Sequence, residues 1–357
     1  MQILLNPGPV NVSARVRAAL NGPDRCHRES EYFDLQDAIR SRLTGVFGTS
    51  PDAYTPVLLT GSCTAMVEAM IASCVPEGGR LLVVRNGVYG DRMARIAAVH
   101  RIATDAVASV WIARPPRESL ERALRAERYD AVAVVHHETT TGLLNDMETV
   151  SELVHAAGAR LLVDAVSALG GEPFDFARWR PDAVACTANK CVQGLPGLSF
   201  ALVRRGFMEE MQSYPERTLY LHLPRHHASQ EQRSTAFTPA IQVADALKAA
   251  LDELFEETVA GRIDRYARAA TIVRDGLEAS GFALLLPQAL RSNTLTTAML
   301  PAGFGYESLH DALKREGFVI YAGQGQLSHA TFRVANMGQV AEDEFHRFVR
   351  AIGAAVA

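Results

Sequence analysis

The sequence predicts an α/β protein with a large domain built on a mostly parallel sheet and a smaller α+β domain at the C-terminal end. Three observations predict this. Short apolar runs without polar alternation recur through the first two-thirds of the chain, as in strands buried on both faces. Helical patterns of about ten residues separate them, as in βαβ units. After Gly281 the pattern changes to isolated strands and helices.

The elements follow in order. Val57-Leu58-Leu59-Thr60 is a short strand, and Thr64 to Ala72 is a buried helix. Arg80 to Val84 is a strand, Asp91 to Val99 a helix, and Ala108-Ser109-Val110-Trp111-Ile112 another strand. Ser119 to Ala126 is a helix with charged outer positions. Ala131 to His136 is a strand and Met147 to Ala157 a helix. Arg160-Leu161-Leu162-Val163-Asp164 is a strand ending in a carboxylate. Asp182-Ala183-Val184-Ala185 and Leu198 to Val203 are two more strands. A helical stretch from Ile241 through Glu257 to Leu277 leads to the second part. There Leu295–Leu300, Val319–Tyr321 and Thr331–Ala335 are strands, and Tyr306–Glu316 and Glu342–Val356 are helices. The expected division is 16–255 for the large domain and 1–15 with 256–357 for the small one.

The 357 residues suffice for these two domains. Lys+Arg 36 against Asp+Glu 40 leaves no basic excess, so nucleic-acid binding is not indicated. No apolar run approaches the roughly 18 residues of a membrane helix, so no membrane role is expected. The first residues lack the basic flank and apolar core of a signal peptide. Five scattered cysteines form neither a disulfide framework nor a metal pair, and a cytoplasmic location is expected.

The chemistry begins at Lys190. It follows a short buried strand on a tight loop, Asn189-Lys190-Cys191-Val192-Gln193-Gly194. Such a place suits a lysine that must lose its charge and form an imine. Asp164 ends a neighbouring strand. Alone, the lysine would be a solvated loop residue and the aspartate a helix cap. Together they suggest a pyridoxal 5′-phosphate (PLP) site, with Lys190 as Schiff-base lysine and Asp164 facing the pyridinium nitrogen. Gly61-Ser62-Cys63-Thr64 joins a strand to a helix and reads as a phosphate cradle or a simple N-cap. Tyr89 can stack on a flat ring or line a core. Thr139, Thr140 and Thr141 offer hydroxyls to a cofactor or substrate, or cap a turn. Arg333 lies inside an apolar strand and needs an anion, either a substrate carboxylate or an internal partner. His222, His226 and His227 lack carboxylates or cysteines at ligand spacing. They read as a solvated loop, and no metal site is expected.

The residues taken together resemble a class V, fold-type I PLP-dependent aminotransferase. The resemblance rests on Asn6-Pro7-Gly8-Pro9, Asn86-Gly87-Val88-Tyr89-Gly90, Glu138-Thr139-Thr140-Thr141-Gly142, Val163-Asp164-Ala165, Ala188-Asn189-Lys190-Cys191-Val192-Gln193-Gly194 and Phe332-Arg333. Within the class the chain is most similar to 2-aminoethylphosphonate–pyruvate transaminases. The resemblance implies a seven-stranded-type sheet, a PLP cofactor, anionic amine and oxo-acid substrates, and a homodimer with shared active sites. It implies Lys190 and Asp164 as catalytic residues and Ser62, Cys63, Thr64 and Asn189 near the phosphate. It also implies Tyr89 on the ring, Thr139 or Thr140 at O3′, and Arg333 on the substrate carboxylate. Thr238 would be lent to the phosphate by the partner subunit. Cys26-His27-Arg28-Glu29 resembles instead the His-Arg motif of alanine–glyoxylate and serine–pyruvate aminotransferases, which makes Arg28 a candidate substrate contact and leaves that activity as the alternative. Asn189 before the lysine, and the lack of any cysteine after Cys191, argue against a desulfurase-like lyase. A PLP-free binding or scaffold protein is the remaining reading, and intact Lys190 and Asp164 argue against it.

Overall fold

The computed structural model describes residues 2–301 and 303–356. Strand β1 (Ile3–Leu4) opens the chain, followed by β2 (Tyr54–Thr60), β3 (Arg80–Arg85), β4 (Ala103–Ala108) and β5 (Ala131–Val135). A short hairpin of β6 (His137–Glu138) and β7 (Leu143–Leu144) precedes β8 (Arg160–Asp164), β9 (Ala183–Thr187) and β10 (Leu198–Arg204). The C-terminal part carries β11 (Leu295–Met299), β12 (Phe318–Val319), β13 (Tyr321–Ala322) and β14 (Thr331–Ala335).

Seven strands form one sheet in the order β2-β10-β9-β8-β5-β3-β4. The pairings of β9, β8, β5, β3 and β4 are parallel, and only β10 runs against its neighbours. Because β10 is flanked on both sides by antiparallel partners, β2 runs in the same direction as β9. The carboxyl ends of β2, β3, β5, β8 and β9 therefore share one edge, where ligands bind in open α/β sheets. Alternate residues of one strand feed opposite faces. Leu82 and Val84 belong to one apolar layer, while Leu81 and Val83 belong to the other. Helices cover both layers, and this double burial explains why the strands read as unbroken apolar runs.

The sequence misplaced one strand. The residues expected to form it, from Ala108 to Ile112, begin at the last residue of β4 and run into a turn. β4 is one of the sheet's two edges and, unlike the buried edge strand β2, is largely solvated, so its sequence Ala103-Thr104-Asp105-Ala106 lacks a hydrophobic signature. The apolar Val110 and Ile112 that suggested a strand are exposed. The long helical stretch also divides. It forms Ile241–Glu257 and Val259–Ala279, with Thr258 at a positive φ of 67° and its hydroxyl accepting from Gly261 N at 3.1 Å. His222, His226 and His227 are not in a solvated loop. They begin and occupy the helix Leu223–Glu231, where His226 is buried and bonded to the Tyr220 carbonyl at 2.6 Å. Helix Ser30–Val46 and the β6/β7 hairpin had no counterpart in the sequence reading.

In the C-terminal part, β11, β14 and β13 form an antiparallel sheet. β1 pairs in parallel with β12, which ties the N-terminus to this part. Leu5 N–H also donates to the Val319 carbonyl at 2.8 Å, and Ala335 N–H to the Leu5 carbonyl at 2.8 Å. The chain then crosses to the large sheet through Asn6-Pro7-Gly8-Pro9, and this crossing brings Pro7 and Gly8 to Lys190. No helix among the described residues is long and apolar enough to cross a membrane.

Candidate active site

Asp164 ends β8, and Lys190 stands three residues beyond β9. The two strands are in parallel register, with Asp164 opposite Ala185. Both side chains are buried, at 6% and 7% exposure. The Lys190 ammonium donates to the Pro7 carbonyl. Burial lowers its pKa, while Cys63, Cys191 and Asp164 act in the opposite direction. A lowered pKa raises the fraction of neutral amine, the form that attacks a carbonyl. Asp164 Oδ1 accepts from Val166 N at 3.0 Å. Burial pushes its pKa up to about 6, against that hydrogen bond and the charges of Arg92 and Lys190. A buried carboxylate this poorly compensated is suited to a cationic ring nitrogen.

Space for the lysine comes from Gly8. A Cβ there would lie 2.7 Å from Lys190 Cδ and 2.8 Å from Cε. Gly8 also has a φ of 102°, which L side chains rarely adopt. Its neighbours Pro7 and Pro9 drew attention in the sequence only as part of a resemblance.

The cradle follows β2. Ser62 caps the helix Cys63–Ser73, its hydroxyl accepting from Ala65 N at 3.4 Å. The first-turn amides of this helix can meet an anion. Thr64 Oγ1 accepts from Arg92 at 3.2 Å, and the Arg92 guanidinium lies 4.8 Å from the Tyr89 ring centroid. Arg92 forms no ion pair among the described residues. The sequence reading missed this cation. Its i,i+3 spacing from Tyr89 on the helix Val88–Val99 was the available signal. Asn189 Oδ1 accepts from Thr187 Oγ1 at 2.7 Å.

The loop after β5 supplies another wall. Thr140 is occupied: its hydroxyl donates to Glu138 Oε1 at 2.5 Å and accepts from Val88 N at 3.0 Å. Thr139 Oγ1 is buried without a partner. Of the two threonines, Thr139 is the one whose hydroxyl still has its donor free. The Thr139 carbonyl accepts from Arg333 Nη1 at 2.9 Å. Arg333 further donates to the Ala322 carbonyl at 3.0 Å and to Gln324 Oε1 at 3.1 Å. These acceptors are all neutral, and no ion pair involves Arg333 among the described residues. The internal salt bridge weighed from sequence is thus absent, and a buried guanidinium remains without an anion. Burial lowers its pKa.

Thr238 lines a small recess with Thr60, the last residue of β2, while Arg28 is exposed. Both line a surface recess of about 570 Å³ with His27, Phe33 and Phe237. Among the described residues no group of three or more His, Cys, Asp or Glu is placed to hold a metal.

The residues present fit PLP. Lys190 is a desolvated amine, Asp164 a carboxylate lacking a cation in hydrogen-bond contact, Thr139 an unpaired buried hydroxyl, and Ser62-Cys63-Thr64 a helix N-terminus. Comparison with known proteins agrees in kind. Residues 27–350 match the model of the aminotransferase class-V family. The chain is 38% identical to a 2-aminoethylphosphonate–pyruvate transaminase of Syntrophobacter fumaroxidans, over 98% of this chain and 95% of that protein. A protein of the same name from Vibrio cholerae is 36% identical, over 99% and 97% of the two chains. The crystal structure of alanine–glyoxylate aminotransferase from Nostoc sp. gives a TM-score of 0.93 at 28% identity, covering 100% of this chain and 95% of that one. A doubly covered sheet, a buried lysine beside a buried aspartate and matches over nearly the full length together show that this chain belongs to the class-V aminotransferases, a fold-type I family that in general depends on PLP.

Proposed function

We propose that the enzyme moves the amino group of 2-aminoethylphosphonate to pyruvate, giving phosphonoacetaldehyde and alanine. The single structural observation that supports this reading is Arg333: a buried guanidinium, fixed by three neutral acceptors and lacking an anion, beside the lysine. Its remaining donors suit a carboxylate or phosphonate. The names carried by the full-length relatives support the phosphonate as donor.

Each residue then has a role. Bound PLP would supply an electrophilic aldehyde and a ring that accepts electrons. Ser62, Cys63, Thr64 and Asn189 would hold its phosphate, Thr139 its O3′, Tyr89 its ring face and Asp164 its ring nitrogen. Lys190 Nζ takes the proton from the amine-bearing carbon of the donor, and in the second half-reaction returns one to C2 of pyruvate. Arg333 holds the anionic end of each substrate so that this carbon faces Lys190. Burial of the cluster excludes water from these proton transfers. Thr238 and Arg28 would act from the partner subunit of a homodimer, with Thr238 on the phosphate.

A donor screen tests the assignment. 2-Aminoethylphosphonate with pyruvate yields alanine, and ethanolamine reacts more slowly. The Cys26-His27-Arg28-Glu29 stretch and the close alanine–glyoxylate neighbour support the alternative donor class. If an α-amino acid with glyoxylate reacts well and the phosphonate yields nothing, the substrate assignment fails while the family stands.

A further inference from the structure

Glu138 is fully buried and takes part in no ion pair among the described residues. An uncompensated buried carboxylate is costly, so its surroundings should explain it. Oε2 accepts from Tyr89 N and Gly90 N, both at 3.2 Å. Oε1 accepts from Thr140 N at 3.2 Å and from the Thr140 hydroxyl at 2.5 Å. The first pair of donors belongs to the opening turn of the helix Val88–Val99, whose dipole favours a negative charge at that end. The second pair belongs to the loop that carries Thr139.

Gly87 is shaped around this carboxylate. A Cβ on Gly87 would lie 2.2 Å from Glu138 Cδ and 2.3 Å from Cγ. Its φ of 174° is ordinary extended backbone, so the glycine answers to the close approach alone.

We propose that Glu138 is a positioning residue, a clasp that ties the Tyr89 turn to the Thr139–Thr140 loop and thereby sets the spacing between the ring-stacking tyrosine and the anion-binding Arg333. This rests on the roles given above to Tyr89, Thr139 and Arg333. The geometry carries it. One side of the clasp fixes the backbone of Tyr89. The other fixes the loop whose Thr139 carbonyl accepts from Arg333 Nη1 and whose Thr139 hydroxyl is left free. Glu138 touches neither substrate nor cofactor in this reading and acts through these neighbours.

The bland alternative is a helix cap that only adds stability. The two differ in what they move. Glu138→Gln keeps shape but turns an N–H₂ group toward one pair of N–H or O–H donors, so one side of the clasp opens. The test measures the PLP dissociation constant of the apoprotein by fluorescence quenching, then kcat and KM for pyruvate at saturating PLP, with thermal midpoints alongside. The expected result is a rise of about tenfold or more in the PLP dissociation constant, with a fall of about tenfold or more in kcat/KM in which KM rises. Gly87→Ala displaces the Glu138 carboxyl group while leaving the residue itself unchanged, and should give the same pattern. It is read in place of Glu138→Gln if that protein does not fold. A lowered midpoint with unchanged PLP affinity and unchanged kcat/KM in the folded variants overturns the clasp. Failure of the wild-type protein to take up PLP would instead overturn the underlying cofactor reading, so the two failures are distinguishable.

Discussion

Gly8→Ala separates the position of the reactive amine from the stability of the fold. The new methyl would sit 2.7 Å from Lys190 Cδ, 2.8 Å from Cε and 3.2 Å from Nζ. Ordinary carbon contacts lie at about 3.5–4.0 Å, so the overlap approaches 1 Å. The colliding atoms are the far end of a flexible side chain, and the lysine can move before the backbone does. The stability cost is therefore mostly the φ of 102° imposed on an alanine, about 1–3 kcal/mol. The catalytic cost is larger. A displacement of about 1 Å in a reacting group lowers rate by roughly 10²-fold. The Pro7 carbonyl that accepts from Lys190 belongs to the same segment, so the variant disturbs the amine from two sides. The assay pairs kcat under saturating substrates with thermal unfolding of the same preparation. A midpoint lowered by only a few degrees, with kcat lowered about a hundredfold, is expected. Wild-type kcat in a folded Gly8→Ala protein would refute the claim that this glycine makes room for the lysine.

Three other outcomes follow from the same geometry. Borohydride treatment of the PLP-loaded protein should fix the cofactor to Lys190, and Lys190→Ala should take up PLP without turnover; a label on any other residue contradicts the site. Arg333→Lys keeps a charge but loses the planar fork, so kcat/KM with pyruvate should fall by about tenfold or more, equivalent to about 1.4 kcal/mol; an unchanged value removes Arg333 from substrate binding. Glu172 is buried, and burial pushes its pKa up to about 8 despite its bond from Asn293 N at 2.6 Å. Between pH 6.5 and 8 the native state keeps a proton that the unfolded chain has released, so this residue's contribution makes stability fall as pH rises. That span corresponds to about 2 kcal/mol, and urea unfolding at both pH values should show this part of the slope vanish in Glu172→Gln.

The fold was legible where burial is two-sided. β3, β5, β8 and β9 lie inside the sheet, and their residues had to be apolar on both faces, which leaves a signal in one dimension. β4 has only one neighbour and is largely solvated, so its sequence carried little of that signal while an exposed Val110 imitated it. The helix Leu223–Glu231 failed differently. Its histidines are polar by type, and the contacts that bury His226 come from Tyr220 and Phe237, which ring packing brings to it only in the folded chain.

The site shows the same division at the level of chemistry. Lys190 and Asp164 were legible because an amine and a carboxylate ending neighbouring buried strands have few ordinary explanations, and topology alone brings them together. Arg333 was legible as a buried cation, but its neutral partners were not. Thr139, Ala322 and Gln324 come from separate segments, and only their arrangement leaves the guanidinium short of an anion. Glu138 and Gly87 were illegible for a stronger reason. Nothing about a glycine in an Asn86-Gly87 pair distinguishes a turn from a close approach, and here φ excludes the turn explanation while the 2.2 Å clearance requires the approach. The candidate site groups are thus written in residue type, whereas the spacing between them is written in contacts that no residue type reveals. A substitution that preserves every reactive side chain, such as Gly8→Ala or Gly87→Ala, therefore bears on the catalytic arrangement itself.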